Sequence, residues 1–170
     1  MLRHHTLLLV VTCLATAGCF TGFRHPLGPV GEGYIDDRLL GVWTCVSTTD
    51  ASPGEITFLK FDGRQYYVRM SDGQSEAQDL RAVSTRLEES SFLSLRMIGP
   101  KPEEEWTVLQ YTIPDGGHLT LKYVNPDRFE DVIDDWQAVR DLLASSLDDP
   151  EVVGEFLQCA RHEAAHVAGS

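Results

Sequence analysis

From residue 39 to residue 124, short apolar runs alternate with turn residues, the spacing of strands rather than helices. The first run is Leu39-Leu40-Gly41-Val42-Trp43-Thr44-Cys45-Val46-Ser47, and Ser52-Pro53-Gly54 turns the chain into a second over 56–61. Asp62-Gly63 and Asp72-Gly73 are hairpin signals. The first leads into a strand over 65–70, the second into a more polar one over 77–85. A fifth run, 92–98, places Leu93, Leu95 and Met97 on one face before Gly99-Pro100 breaks it. Pro114-Asp115-Gly116-Gly117 folds the run 106–113 back onto 119–123. Seven strands in a meander follow, with apolar residues on both faces of several. A sheet of that size tends to curl and close, and the two-sided pattern predicts a small barrel with one side covered by a helix.

The period then changes. Phe129, Val132, Ile133, Trp136, Val139, Leu143 and Leu147 recur at spacings of three and four, one apolar stripe of a helix. Asp127 with Glu130 three residues later predicts its N-terminal cap, and Asp149-Pro150 predicts the start of a second short helix. The closing run over 155–161 returns as a final strand. The predicted fold is mainly β, an antiparallel meander closed or nearly closed into a barrel, with a C-terminal helix packed on it and a final short strand.

The N-terminus has a different pattern. Arg3 precedes an apolar run from Leu7 to Ala15, about nine residues, where a membrane-spanning helix needs roughly 20. A basic start, a short apolar stretch and small residues after it predict an export signal over 1–18. Ala15-Thr16-Ala17-Gly18 ending at Cys19 resembles a bacterial lipobox, with Thr16 in place of the commoner Leu. The resemblance implies that Cys19 carries the lipid, palmitate among its acyl chains, and that Phe20 after it directs the protein to the outer membrane where the organism has one. Residues 19–36, with Gly22, Pro26, Gly28, Pro29, Gly31 and Gly33, have the composition of a flexible tether. The domain is expected over 37–161, and 162–170 as a tail.

Charge narrows the partners. With 14 basic against 26 acidic residues and a formal charge of −12, the chain lacks the basic clusters that phosphate contacts need, so no nucleic acid is expected. Of the four cysteines, Cys13 falls in the signal and Cys19 carries the anchor. Cys45 and Cys159 remain. In an oxidising compartment a disulfide between first strand and C-terminal segment is expected, two separate buried thiols being the alternative.

Gly41-Val42-Trp43, after the Leu39-Leu40 lead-in, resembles the Gly-x-Trp signature of lipocalins, and the chain as a whole resembles small bacterial lipoproteins with a lipocalin-like domain. The resemblance covers roughly 37–161. It implies that Trp43 packs across the closed end of the barrel, that an Arg of the last strand (Arg161 here) lies on it, and that the barrel binds an apolar ligand. Seven strands before the helix depart from the family's eight. Trp43, Tyr66, Phe92, Trp106 and Tyr123 are the aromatic residues that would line a cavity, or else fill a packed barrel.

One motif points to catalysis. His162-Glu163-Ala164-Ala165-His166 has the spacing that puts two imidazoles on one helix face as zinc ligands with Glu163 as general base. A catalytic zinc also needs a third ligand and a shaped cleft, and chain ends fray. A metal-dependent hydrolase is therefore the alternative. The acidic stretch 127–151 reads as the solvated face of the helix. The expected function is non-enzymatic, with no cofactor: a lipid-anchored envelope protein that holds a small hydrophobic ligand or an envelope protein partner. A purely structural surface module is the third reading.

Overall fold

The structure is a computed structural model and describes residues 22–99 and 105–162. The expected signal over 1–18 and Cys19 lie outside the described residues, as does the tail beyond His162. Eight strands run β1 (Gly41–Ser47), β2 (Pro53–Lys60), β3 (Gln65–Ser71), β4 (Gln78–Leu87), β5 (Ser90–Met97), β6 (Thr107–Thr112), β7 (His118–Val124) and β8 (Val153–Arg161). Each pairs antiparallel with the next, and β8 pairs with β1 to close a barrel. The helix α1 (Trp136–Ser145) lies in the β7–β8 connection. Seven strands thus precede the helix, and the eighth, which closes the barrel, follows it.

Aspartates set the turns. Asp62, Asp72 and Asp115 each accept backbone N–H groups two and three residues ahead, at 2.7–3.0 Å, and so imitate a further turn of backbone. The β4–β5 hairpin lacks such a signal. Its turn uses Glu88 at φ 54°, a left-handed conformation that side chains other than Gly, Asn and Asp seldom adopt.

Alternation along the strands sends Trp43, Phe58, Tyr66, Val68, Leu93 and Leu119 inward, all 0–1 % exposed, so the middle of the barrel is filled rather than hollow. On β4 and β5 the outward residues Val83, Phe92 and Ser94 are also fully buried. They are covered by α1 and by the chain leading into β1. This explains the two-sided apolar pattern of these strands.

That covering chain overturns the expectation of a flexible tether, at least from Gly22 onward. Phe23 pairs with Trp106 through reciprocal backbone bonds of 2.8 and 2.7 Å. Phe23 and Leu27 are 3 % and 2 % exposed, the first edge-on to Phe129 at 5.4 Å. Burying two such side chains contributes about 1.5–3 kcal/mol each. Leu27 N–H donates to Ser94 Oγ, and its carbonyl accepts from Arg140 of α1, both at 3.0 Å. The glycines here permit close approach: a Cβ on Gly33 would stand 2.6 Å from the Arg64 carbonyl oxygen and 2.8 Å from Val83. The segment is a strap clamped between sheet and helix.

The helix is shorter than its stripe predicts. A 3₁₀ turn over Pro126–Phe129 is capped by Asn125, and α1 begins only after Asp135, whose carboxylate accepts from Gln137 and Ala138 N–H. Asp127 is therefore not the cap. Val132 and Ile133 lose side-chain freedom in a helix, and Asp131, Asp134 and Asp135 prefer turns and caps, so the stripe continues across a break. The expected second helix at Asp149-Pro150 is a single turn, with Asp149 accepting from Val152 and Val153 N–H.

Candidate functional site

The two ends of the barrel differ. At one end the chain crosses the opening before entering β1. Leu39 is fully buried there and accepts a 2.8 Å bond from the Trp43 indole N–H. Arg161, from the end of β8, lies 4.4 Å above the Trp43 ring. Its guanidinium donates to the carbonyls of Gly116, Leu40 and Arg38 at 3.0, 2.8 and 2.5 Å. At Gly41, φ +116°, a Cβ would stand 3.1 Å from that guanidinium, so glycine leaves the space the arginine needs. A glycine, an indole and an arginine therefore close this end, the arrangement that the Gly-x-Trp resemblance implies.

A polar cluster completes the plug. The Tyr34 hydroxyl lies 3.2 Å from Ser91 Oγ and from the Tyr111 hydroxyl. Tyr111 in turn donates to Asp36 at 3.3 Å. Asp36 N–H donates to the Tyr66 hydroxyl at 2.5 Å, and Ser84 Oγ–H donates to the Tyr34 carbonyl. Burial pushes the Tyr66 phenol up to about 12. Burial also raises Tyr111, helped by its bond to Tyr34. The Arg38 guanidinium, 2.7 Å from Asp36, holds that carboxyl below the ordinary carboxylate range. The Tyr66 and Tyr111 phenols are raised and the Asp36 carboxyl is lowered, so these three groups hold structure and are not poised to exchange protons near neutrality.

The opposite end is open. A meander places alternate loops at one end, and here the β1–β2 and β3–β4 loops meet β8 around a cavity of about 310 Å³. Its apolar lining is Ile56, Met70, Phe156, Leu157 and Cys45. Cys45 is bonded to Cys159 at an S–S distance of 2.05 Å, directly across the β1–β8 seam, so the expected disulfide is present. A bulge on β8 opposite Leu121 and Lys122 is what lets the successive residues Phe156 and Leu157 both reach the cavity. The Phe156 carbonyl accepts from Thr48 N–H at 3.0 Å and from its hydroxyl at 3.2 Å, which ties the β1–β2 loop to the bulge. Around the mouth stand Glu55, Asp72 and Glu76, with Ser47, Ser52 and Ser75. The Asp72 carboxyl is held below the usual range by the backbone N–H groups of Ser75 and Gln74.

None of the five aromatic candidates lines this cavity. Trp43 and Tyr66 fill the barrel below it. Phe92 and Trp106 sit outside the barrel beneath the strap and α1. Tyr123 packs against the interior cluster, with its ring 6.3 Å from that of Phe156. The residues that do line the cavity are strand ends and loop residues, findable from sequence only by asking which ends of the meander coincide.

Of the zinc motif, only His162 is described. Its N–H donates to the Val42 carbonyl at 2.9 Å, so it prolongs the β1–β8 ladder. Glu163 and His166 lie outside the described residues. Among the described residues no group of three His, Cys, Asp or Glu side chains is gathered as for a metal ion, and no helix is long and apolar enough to cross a membrane. No family model, curated protein or solved structure matches the chain.

Proposed function

We propose that this protein acts by binding, as a lipid-anchored protein of the cell envelope that holds a small hydrophobic molecule in the open end of its barrel. The observation that carries this reading is the contrast between the two ends: one plugged by Leu39, Trp43 and Arg161, the other opening on an apolar cavity. A volume of about 310 Å³ lies at the lower end of small-molecule sites. The occupant is one short chain or ring, not a two-chain lipid. Recognition rather than bond-making is the activity proposed.

Strap geometry supports a role for the anchor. Gly22 N–H donates to Glu105 at 2.8 Å, and Phe23 pairs with Trp106, at the end of β6 nearest the open mouth. Two residues, Phe20 and Thr21, separate Cys19 from Gly22, a reach of at most roughly 11 Å over three Cα–Cα steps. With Cys19 acylated, the membrane lies on the side of the open end, and the occupant exchanges with the bilayer over a short path. Two acyl chains suffice for stable attachment.

Two measurements test the reading. Incorporation of labelled palmitate into the exported protein is expected, and its loss in Cys19→Ser; equal labelling of both would sink the anchor. Nile red fluorescence should rise saturably with the protein, and Phe156→Ala, which enlarges and weakens the apolar wall, should lower that affinity about threefold to tenfold. A linear, unsaturable rise would favour the purely structural module.

A further inference from the structure

The cavity is two-faced. Its floor is apolar and its mouth is acidic: Glu55, Asp72 and Glu76 line it, and among the described residues no Lys or Arg does. Among the described residues, none of the three carboxylates is paired with a Lys, Arg or His. Elsewhere on the molecule some exposed carboxylates have such partners, as Asp134 has Arg24, Glu155 has Lys122 and Glu151 has Arg128, while others have none; what sets these three apart is their place together around an apolar cavity. The Asp72 carboxylate is moreover held in place, by Gln74 and Ser75 N–H at 2.9 and 2.7 Å and by the Ser75 hydroxyl at 3.0 Å. These bonds set the orientation of the charge at the mouth.

We infer, resting on the binding function proposed above, that the occupant is a cationic amphiphile: a short apolar body seated against Ile56, Met70, Phe156 and Leu157, with an amine at the mouth between Asp72 and Glu76. Charge complementarity decides the polarity of the head. A fatty-acid carboxylate bound with its chain on this floor would place its charge among like charges, with no cation among the described lining residues to offset them. An ammonium in the same place meets carboxylates that have not been neutralised from within the protein. A neutral alcohol forgoes that attraction but suffers no repulsion, and ranks between the two. The overall charge of −12 acts in the same direction, by raising the local concentration of cations around the mouth.

The test compares octylammonium, octanol and octanoate, which share one chain and differ in the head, on the intact chain at pH 7 and low salt. The reporter is the methyl resonance of Met70, one of only three methionines in the sequence and a residue of the cavity wall. Octylammonium is expected to shift it saturably, about tenfold more tightly than octanoate, with octanol between. Added salt should narrow the gap. The double variant Asp72→Asn, Glu76→Gln should bring the three ligands within about twofold of one another, since an amide at position 72 still accepts the loop hydrogen bonds that hold the hairpin. Octanoate binding as tightly as octylammonium, or a preference that survives the double variant, overturns the cationic head while leaving the cavity as a binding site. No shift of Met70 with any of the three overturns the binding site itself.

Discussion

Reduction of the Cys45–Cys159 bridge separates what the disulfide does from what the β1–β8 seam does. The two cysteines are 114 residues apart and sit opposite each other in the ladder, 1 % and 4 % exposed. Reduced thiols would stay buried as small apolar groups, so the native state loses little packing. The effect falls on the unfolded chain, which regains the freedom of a loop longer than 100 residues. Chain-entropy reasoning puts this at about 4.8 kcal/mol, an upper figure since measured bridges often give less. Against a total stability of about 5–15 kcal/mol that is a large share. In urea, with a slope of about 2 kcal/mol per molar for a domain of this size, the midpoint should fall by about 2 M. The slope itself should steepen, because the opened chain exposes more surface. Far-ultraviolet circular dichroism in the absence of urea should stay unchanged, since Trp43, Thr44, Val46 and Ser47 remain paired with β8. The assay is urea unfolding of the oxidised protein, the reduced protein and Cys45→Ala/Cys159→Ala. Coincident midpoints for oxidised and reduced protein would refute the reasoning, and so would loss of the barrel signal on reduction, which would make the bridge itself the closure.

Two further expectations follow from the closed end. Arg161→Lys keeps the charge but cannot reproduce three carbonyl bonds from one planar group lying on Trp43. It should cost about 1–3 kcal/mol in urea unfolding and alter the near-ultraviolet signal of Trp43, while an unchanged midpoint would mean that the plug does not depend on Arg161. The second concerns alkali: Tyr66 titrates at about 12 when folded, against about 10 when unfolded. Its contribution is therefore whole below pH 10 and is lost as the pH rises from 10 towards 12, by about 2–3 kcal/mol. Tyr66→Phe should flatten the decline in urea midpoint over that range, leaving the part due to Tyr111; an equally steep decline would show that Tyr66 is not the group responsible.

Strand count and order were legible because each depends on local chemistry. Asp-Gly pairs mark three of the hairpins through the carboxylate's own backbone bonds, and no partner strand is needed to read them. The β4–β5 hairpin was harder to bound, since Glu88 takes a left-handed conformation that its side chain does not advertise. The strap was misread for a physical reason: glycine serves both freedom and close approach, and only the surface beneath decides which. At Gly33 the backbone of Arg64 and the side chain of Val83 lie too near for a Cβ, while Phe23 and Leu27, two apolar residues among polar ones, show their burial only once α1 and β5 are in place. The apolar stripe of residues 129–147 was real, but propensity at Val132, Ile133 and the aspartates cut the helix within it.

The sequence by itself determined an antiparallel meander of seven strands followed by a helix and a final strand, closed or nearly closed into a barrel, and it left Cys45 and Cys159 as the pair expected to join the first strand to the last. Those follow from period, turn chemistry and arithmetic, each local or nearly so. Only the tertiary structure decided which end is open and what lines it. The aromatic residues, prominent in sequence, went to fill the interior and the strap interface, because large apolar surfaces are buried wherever packing can accept them. The cavity fell instead to Ile56, Met70, Phe156 and Leu157 beneath a rim of carboxylates, residues up to about 100 positions apart in the chain that closure of the β1–β8 seam brings together.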